Sequence, residues 1–302
     1  MIPYHQIGPW HLGPLPIYPF GLLVGTAILL GTYIAQRRAE HMGIHPKLYS
    51  EALIWLFIGG FVTAHIVSVV FYFPERVRDN PLELLMFWRG ISSFGGFIGG
   101  AVGLILYIKK YHLPMWTTLD ATAYALVPAW ILGRMGCTVA FDHPGKPTNF
   151  FLGFSNPPYP VPAGYHGIYN LGFLEMLFTV VLAITVYFTT RKKRFDGFIL
   201  ALIALSYAPV RFMLDSLRIV DAKYLGLTPG QYFSILLFAL GIWIAYTRMK
   251  AAPEAFEHFD FKTGKGGYLV ASSTSTSAAG GKGSKHNQSS SKHSQSKKKH
   301  KK

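Results

Sequence analysis

Seven apolar stretches alternate with short polar segments along the chain, at about 17–35, 51–73, 92–108, 117–137, 168–188, 195–217 and 228–246. A helix crosses the hydrocarbon of a bilayer in roughly 17 to 25 residues, and each stretch is of that size. The pattern predicts an all-α fold, a polytopic membrane protein with seven transmembrane helices. The third stretch, "FGGFIGGAVG", is the poorest helix former, but small residues let membrane helices approach closely. It reads as a packing face, because it follows no strand and lacks the GKS or GKT ending of a phosphate loop.

Residues 1–250 are expected to form the membrane domain and 251–302 a basic, disordered cytoplasmic tail. Beyond about residue 263 the chain is Ser, Gly, Lys and His, which bury too little apolar surface to fold. Ten of the 29 Lys and Arg residues lie in this tail, so the net charge of +15 splits into about +8 for the body and +7 for the tail. A solvated tail, or one touching anionic lipid heads, fits this charge better than a nucleic-acid partner. The first sixteen residues hold no Lys or Arg, and the first apolar run ends in Arg37-Arg38. It reads as a retained span rather than a signal peptide.

Loop charges set the direction. With the N-terminus outside, eleven Lys and Arg residues of the body fall inside and six outside, and the tail adds to the inner count. The positive-inside rule then favours N-out and C-in. Segment 138–167, rich in Pro, Gly and aromatic residues, becomes an outer loop and a candidate lid.

Two arginines belong to no loop. Arg134 lies deep in the fourth stretch and Arg211 deep in the sixth, both running from inside to outside. At 1.5 Å per residue both reach a common depth, roughly 25 Å above the inner surface. A charge there costs at least about 2.5–3.5 kcal/mol by insertion scales and calls for a partner or a polar cavity. Tyr207, Arg211, Asp215 and Arg218 share one helical face. Mutual neutralisation of Arg211 and Asp215 is the plain reading. Two arginines with one nearby acid leave a surplus of positive charge, which a phosphate would satisfy through the guanidinium fork.

Gly95, Gly96, Asp142, His143, His166, Tyr169 and Asn170 fall in the same outer layer. His65 is expected to make a structural hydrogen bond, Glu175 to be neutral or paired in the core, and Asp120 to be a helix-end residue. The single cysteine, Cys137, excludes an internal disulfide framework and a Cys-based zinc site. No metal-ligand spacing is visible among the histidines, so neither metal nor cofactor is expected.

Five segments, in order, resemble the phosphatidylglycerol–prolipoprotein diacylglyceryl transferase family over about residues 5–250. They are "IGPWHLGPLPIYPFGLLVG", "RGISSFGGFIGG", "LGRMGC" followed by "GKPT", "YAPVRFMLDSLR" and "LTPGQYFSI". The resemblance implies transfer of the diacylglyceryl group of phosphatidylglycerol to the lipobox cysteine of prolipoproteins in the bacterial inner membrane. Its active site would face the outer leaflet. Arg134 and Arg211 would bind the lipid phosphate, Asp215 would orient Arg211, and Tyr207 would hydrogen-bond the head group. Gly95, Gly96, Gly145 and Asp142 would complete the substrate site. The chain departs from the family at Phe94, in place of a histidine, and at Phe20, in place of a tyrosine. His143 or His166 would then supply the base. The rival readings are a non-catalytic relative that binds phospholipid or lipoprotein, and a small-solute transporter. The transporter lacks support from any internal repeat or broken helix pair.

Overall fold

The computed structural model describes residues 1–72, 74–86, 93–219, 225–254, 259–260 and 265–266. The long helices are α1 (Pro19–His41), α2 (Pro46–Val67), α4 (Ser93–Lys110), α5 (Met115–Ala140), α6 (Leu171–Thr189), α7 (Phe198–Asp215) and α8 (Pro229–Lys250). A π turn (Ser68–Tyr72), a short helix α3 (Pro74–Asp79) and a 3-10 turn (Pro81–Leu85) fill the connection after α2. Among the described residues six helices are long and apolar enough to cross a membrane, and α4 is not one of them. Large apolar side chains on them stay exposed, among them Leu29, Ile58, Val181, Leu236 and Trp243. Such surface suits a lipid solvent, where only the backbone must be satisfied internally.

Glycine decides how α2 and α4 meet. A Cβ on Gly99 would lie 2.2 Å from the carbonyl oxygen of Gly59, and one on Gly95 would lie 2.4 Å from that of Thr63. The two backbones therefore touch along this face, as expected for small residues between membrane helices. Gly95 serves this contact, whereas a Cβ on Gly96 would find ordinary spacing.

One end of the bundle is tied by acids. Asp120 of α5 accepts hydrogen bonds from the backbone N–H groups of Gly197 (2.8 Å) and Leu200 (3.1 Å). It caps the start of α7, so it is a helix-end residue, though of a neighbouring helix. Glu254, just beyond α8, accepts from the N–H groups of Trp116 and Thr117 at the start of α5.

The opposite end carries what the sequence left as a loop. Strands β1 (Ile2–Pro3), β4 (Pro144–Thr148), β5 (Phe154–Ser155) and β6 (Gly167–Asn170) form a small sheet in the order β1-β5-β6-β4. A separate hairpin pairs β2 (Trp10–Leu12) with β3 (Leu15–Ile17). Phe141, Phe154 and Ile168 make a local core beneath the sheet. Tyr4 donates to the Val139 carbonyl at 3.0 Å, and burial holds its phenol above the ordinary range. Segment 138–167 is therefore a folded cap tied to the end of α5. Most of the tail lies outside the described residues, and so do Arg89, Lys223 and the side chain of Phe94.

Candidate functional site

Four helix ends converge under the small sheet. On α7 the i, i+4 spacing places Tyr207, Arg211 and Asp215 on one face, as the periodicity requires. Helix α5 brings Arg134 to the same level, and α6 brings Glu175. The start of α6 is fixed by Asn170, whose side chain accepts from the N–H of Phe173 (3.2 Å) and donates to the Thr138 carbonyl (2.9 Å). The end of α5 and the start of α6 are thus locked together. Arg134 and Glu175 face each other across that lock.

Glu175 is the centre. It is 1% exposed, and only strong partners make such burial of a carboxylate tolerable. Arg134 Nη2 stands 2.7 Å from Oε1, and Arg211 Nη1 stands 3.3 Å from Oε2. The Tyr207 hydroxyl also donates to Oε1, while its ring meets Trp130 edge-on at 4.5 Å. Arg211 continues to Asp215 through Nη2 at 3.0 Å, and Arg218 approaches the same carboxylate at 3.8 Å. Thr228, the cap of α8, donates its hydroxyl to the other oxygen of Asp215 and accepts from the N–H of Gln231 at 3.2 Å. Gly230 gives Asp215 room, since a Cβ there would lie 2.8 Å from each carboxylate oxygen.

The charge balance changes accordingly. The sequence reading gave the two intramembrane arginines one acid, and the structure gives them two. Glu175, left there as a core residue, is the carboxylate they share. With Arg218 drawn in, the group still holds three guanidiniums against two carboxylates. The expected head-group contact of Tyr207 is taken by Glu175 in this structure. A signal for Glu175 was present: an acid two turns into an apolar span needs a cation.

The cap borders this cluster. Gly145 bridges to Arg218, and the N–H of Lys146 donates to the Leu217 carbonyl at 2.8 Å. A Cβ on Gly145 would press on Tyr169 (2.9 Å) and Leu171 (3.0 Å), which explains the glycine. Beside it, His143 Nδ1 donates to Asp142 Oδ1 at 2.5 Å. The side-chain ligand atoms of Cys137, Asp142 and His143 lie within 4.8 Å of one another. Cys137 in turn lies 3.9 Å from Arg134 Nη1. This mixed thiol, carboxylate and imidazole group was missed by counting cysteines and histidines separately. His166 is held elsewhere in the cap, its N–H and Nδ1 both donating to Asn149 Oδ1 at 2.8 Å. Phe20 packs along α5, where a Cβ on Gly136 would lie 3.1 Å from its ring.

A family profile described as prolipoprotein diacylglyceryl transferase matches residues 9–247. The chain belongs to that family. It is 30% identical over 258 residues to the phosphatidylglycerol–prolipoprotein diacylglyceryl transferase of Nostoc sp., covering 80% of this chain and 90% of that protein. A protein of the same name from Synechocystis sp. is 26% identical over 272 residues, 83% of this chain and 94% of its own length. That of Staphylococcus carnosus is 30% identical over 257 residues, 82% and 92% respectively. Of the family segments named from sequence, "LGRMGC" carries Arg134, "YAPVRFMLDSLR" carries Tyr207, Arg211 and Asp215, "LTPGQYFSI" carries Thr228, and "GKPT" carries the Gly145 that bridges to Arg218.

Proposed function

We propose that this chain transfers the diacylglyceryl group of phosphatidylglycerol to the lipobox cysteine of prolipoproteins, forming a thioether and releasing glycerol phosphate. The observation that carries this reading is the meeting of Arg134 and Arg211 on Glu175. A guanidinium has five N–H donors. The contacts described engage only some of them, and the Arg134 and Arg211 side chains keep 15% and 16% of their surface exposed. The remaining donors suit a phosphate arriving from the lipid side. As the glyceryl carbon–oxygen bond breaks, negative charge builds on the departing phosphate, and preorganised cations lower that barrier most.

The rest of the cluster supports this role. Asp215 holds Arg211 from one side and Glu175 from the other, so the fork is set before the lipid binds. Gly145, Asp142 and His143 border the place where a thiol from outside would enter. An apolar cavity lined by Ile34, Tyr124, Val127, Pro128 and Val186 lies farther along α5. Val127 is two turns below Arg134, about 10 Å along the axis, where the acyl chains of a lipid held by its phosphate would run. In this reading all seven long helices cross the bacterial inner membrane, N-terminus out and C-terminus in, with the site towards the outer leaflet.

The test is product. Purified protein, labelled phosphatidylglycerol and a lipobox peptide should give a thioether-linked diacylglyceryl peptide. A folded protein that binds the lipid but yields none would instead be the non-catalytic relative, the reading that Phe20 and Phe94 favour.

A further inference from the structure

We infer that the groove between α1, α5 and α6 binds one anionic phospholipid from the leaflet opposite the Arg134–Glu175–Arg211 group. Arg38 and Arg191 hold its phosphate, and one acyl chain lies in the groove. The site does not depend on the transferase reading. The proposed orientation enters only in naming that leaflet cytoplasmic.

The walls of the groove are the first argument. Ile34 of α1, Tyr124, Val127 and Pro128 of α5, and Ala183 and Tyr187 of α6 line a cavity of about 340 Å³. That is within the size range of small-ligand sites, which are mostly apolar with a few placed polar groups. Each of its two tyrosines carries an arginine. The Arg38 guanidinium lies 4.7 Å from the Tyr124 ring centroid, and that of Arg191 lies 4.8 Å from the Tyr187 centroid. Arg38 follows Ile34 by one turn near the end of α1, and Arg191 lies just past the end of α6. Both cations therefore stand at the inner end of the groove. Tyr187 and Arg191 are exposed, so a lipid reaches it from the side.

Unused donors are the second argument. Stacking takes the face of a guanidinium and leaves its N–H edge for an acceptor. Other arginines at this end have found one. Arg37 pairs with Glu40 at 3.4 Å, Arg194 donates to the Thr189 carbonyl at 3.1 Å, and Arg248 donates to the Asp196 carbonyl at 3.2 Å. Arg191 donates only to the Tyr187 hydroxyl, at 2.9 Å, and Arg38 Nε is buried with no acceptor among the described residues. A buried donor calls for a partner. Two guanidiniums without a carboxylate call for an anion, and phosphate oxygens suit them best. The apolar slot beside them selects a lipid over a free anion. Basic pockets between membrane helices on the cytoplasmic side take such head groups.

Depth is the third argument. Ala183 and Tyr187 follow Glu175 on α6 by eight and twelve residues, about 12 and 18 Å along the axis. One leaflet contributes about 15 Å of hydrocarbon, half the core of a bilayer. The inner part of the groove thus belongs to the opposite leaflet. A chain descending from Arg134 meets the groove at its upper edge, by Val127 and Pro128. The chain of the second lipid rises from Arg38 and Arg191 to meet it, as the chains of two leaflets do.

A photoreactive phosphatidylglycerol with its diazirine on the first carbons of an acyl chain tests this, because the head-group end separates the two sites. The full-length protein in phosphatidylcholine nanodiscs, irradiated with sub-saturating probe, should be labelled in residues 34–38 and 183–191. The same probe built on phosphatidylcholine should label them at least about fivefold less, the effect of about one basic contact. Label there should fall about twentyfold in the double variant Arg38→Gln, Arg191→Gln, at about fivefold per arginine. It should persist in Arg37→Gln, whose arginine is exposed and paired with Glu40. Excess inorganic phosphate should not displace it. No label at these residues in the wild-type protein overturns the proposal, a result that needs no variant to fold. Equal labelling by the phosphatidylcholine probe, or of the double variant, overturns it too. Displacement by inorganic phosphate would reassign the two arginines to a free anion. Label at the inner end without thioether product upholds this site and contradicts the transferase reading, and product without that label does the reverse.

Discussion

Arg134 and Arg211 lie on different helices and close on opposite oxygens of one carboxylate, Glu175, at 2.7 and 3.3 Å. This shared anion holds the two guanidiniums beside one another. Together with Asp215 on Arg211, it gives the two arginines at this depth two carboxylates.

Replacing either arginine by lysine keeps the charge and removes the planar fork. Transfer in Arg134→Lys and in Arg211→Lys is expected to fall roughly a hundredfold to a thousandfold, as on loss of a transition-state donor. Lipid turnover by the purified variants checks this, with thermal unfolding as the control for folding. A change of less than threefold in both would remove the clamp from the mechanism.

Glu175 tests the other side of the same contact. Glu175→Ala leaves two largely buried guanidiniums without their common partner, and breaking a buried pair costs about 3–5 kcal/mol. Its unfolding temperature in detergent should fall below that of Arg134→Ala, which removes only one of the two cations. Glu175→Gln, which keeps the shape, should fall between wild type and Glu175→Ala.

Gly230 acts on Arg211 through Asp215. The alanine methyl in Gly230→Ala would lie 2.8 Å from each oxygen of Asp215 and must push that carboxylate away from Arg211 and Thr228. Overpacking of this kind costs about 1–3 kcal/mol. The expected result is a lower unfolding temperature and a raised KM for lipid, read from transfer kinetics at varied phosphatidylglycerol.

Direction in the membrane is open to labelling. In a Cys137→Ser background, a single cysteine at Lys146 should react with an impermeant maleimide in intact cells. One at Lys192 should react only after permeabilisation. The reverse pattern would overturn the N-out orientation.

The membrane body was legible because each span is a long apolar run, and Arg134 and Arg211 stood out because charge inside such a run is costly. Depth counting along two parallel spans sufficed to bring them to one level. Partners drawn from other helices were harder to read. Glu175 and Asn170 are single polar residues at the start of α6, and which helix they face depends on how α6 rotates against α5 and α7. Thr228 reaches Asp215 only because α8 begins beside the end of α7. Segment 138–167 was marked as an outer loop and candidate lid, but its strands escaped notice for a different reason. Its strands are two to five residues long and broken by proline and glycine, so no alternating pattern can build up. The cluster of Cys137 with Asp142 and His143 needs the left-handed turn at Phe141, which folds the chain back over the helix end.

The most direct test of the central claim is transfer from labelled phosphatidylglycerol to the cysteine of a lipobox peptide, run with purified wild-type protein beside Arg211→Ala. Thioether product from the wild type, with little or none from an equally folded Arg211→Ala, is the expected result. No product from a folded, lipid-binding wild type, or equal product from both proteins, would contradict it.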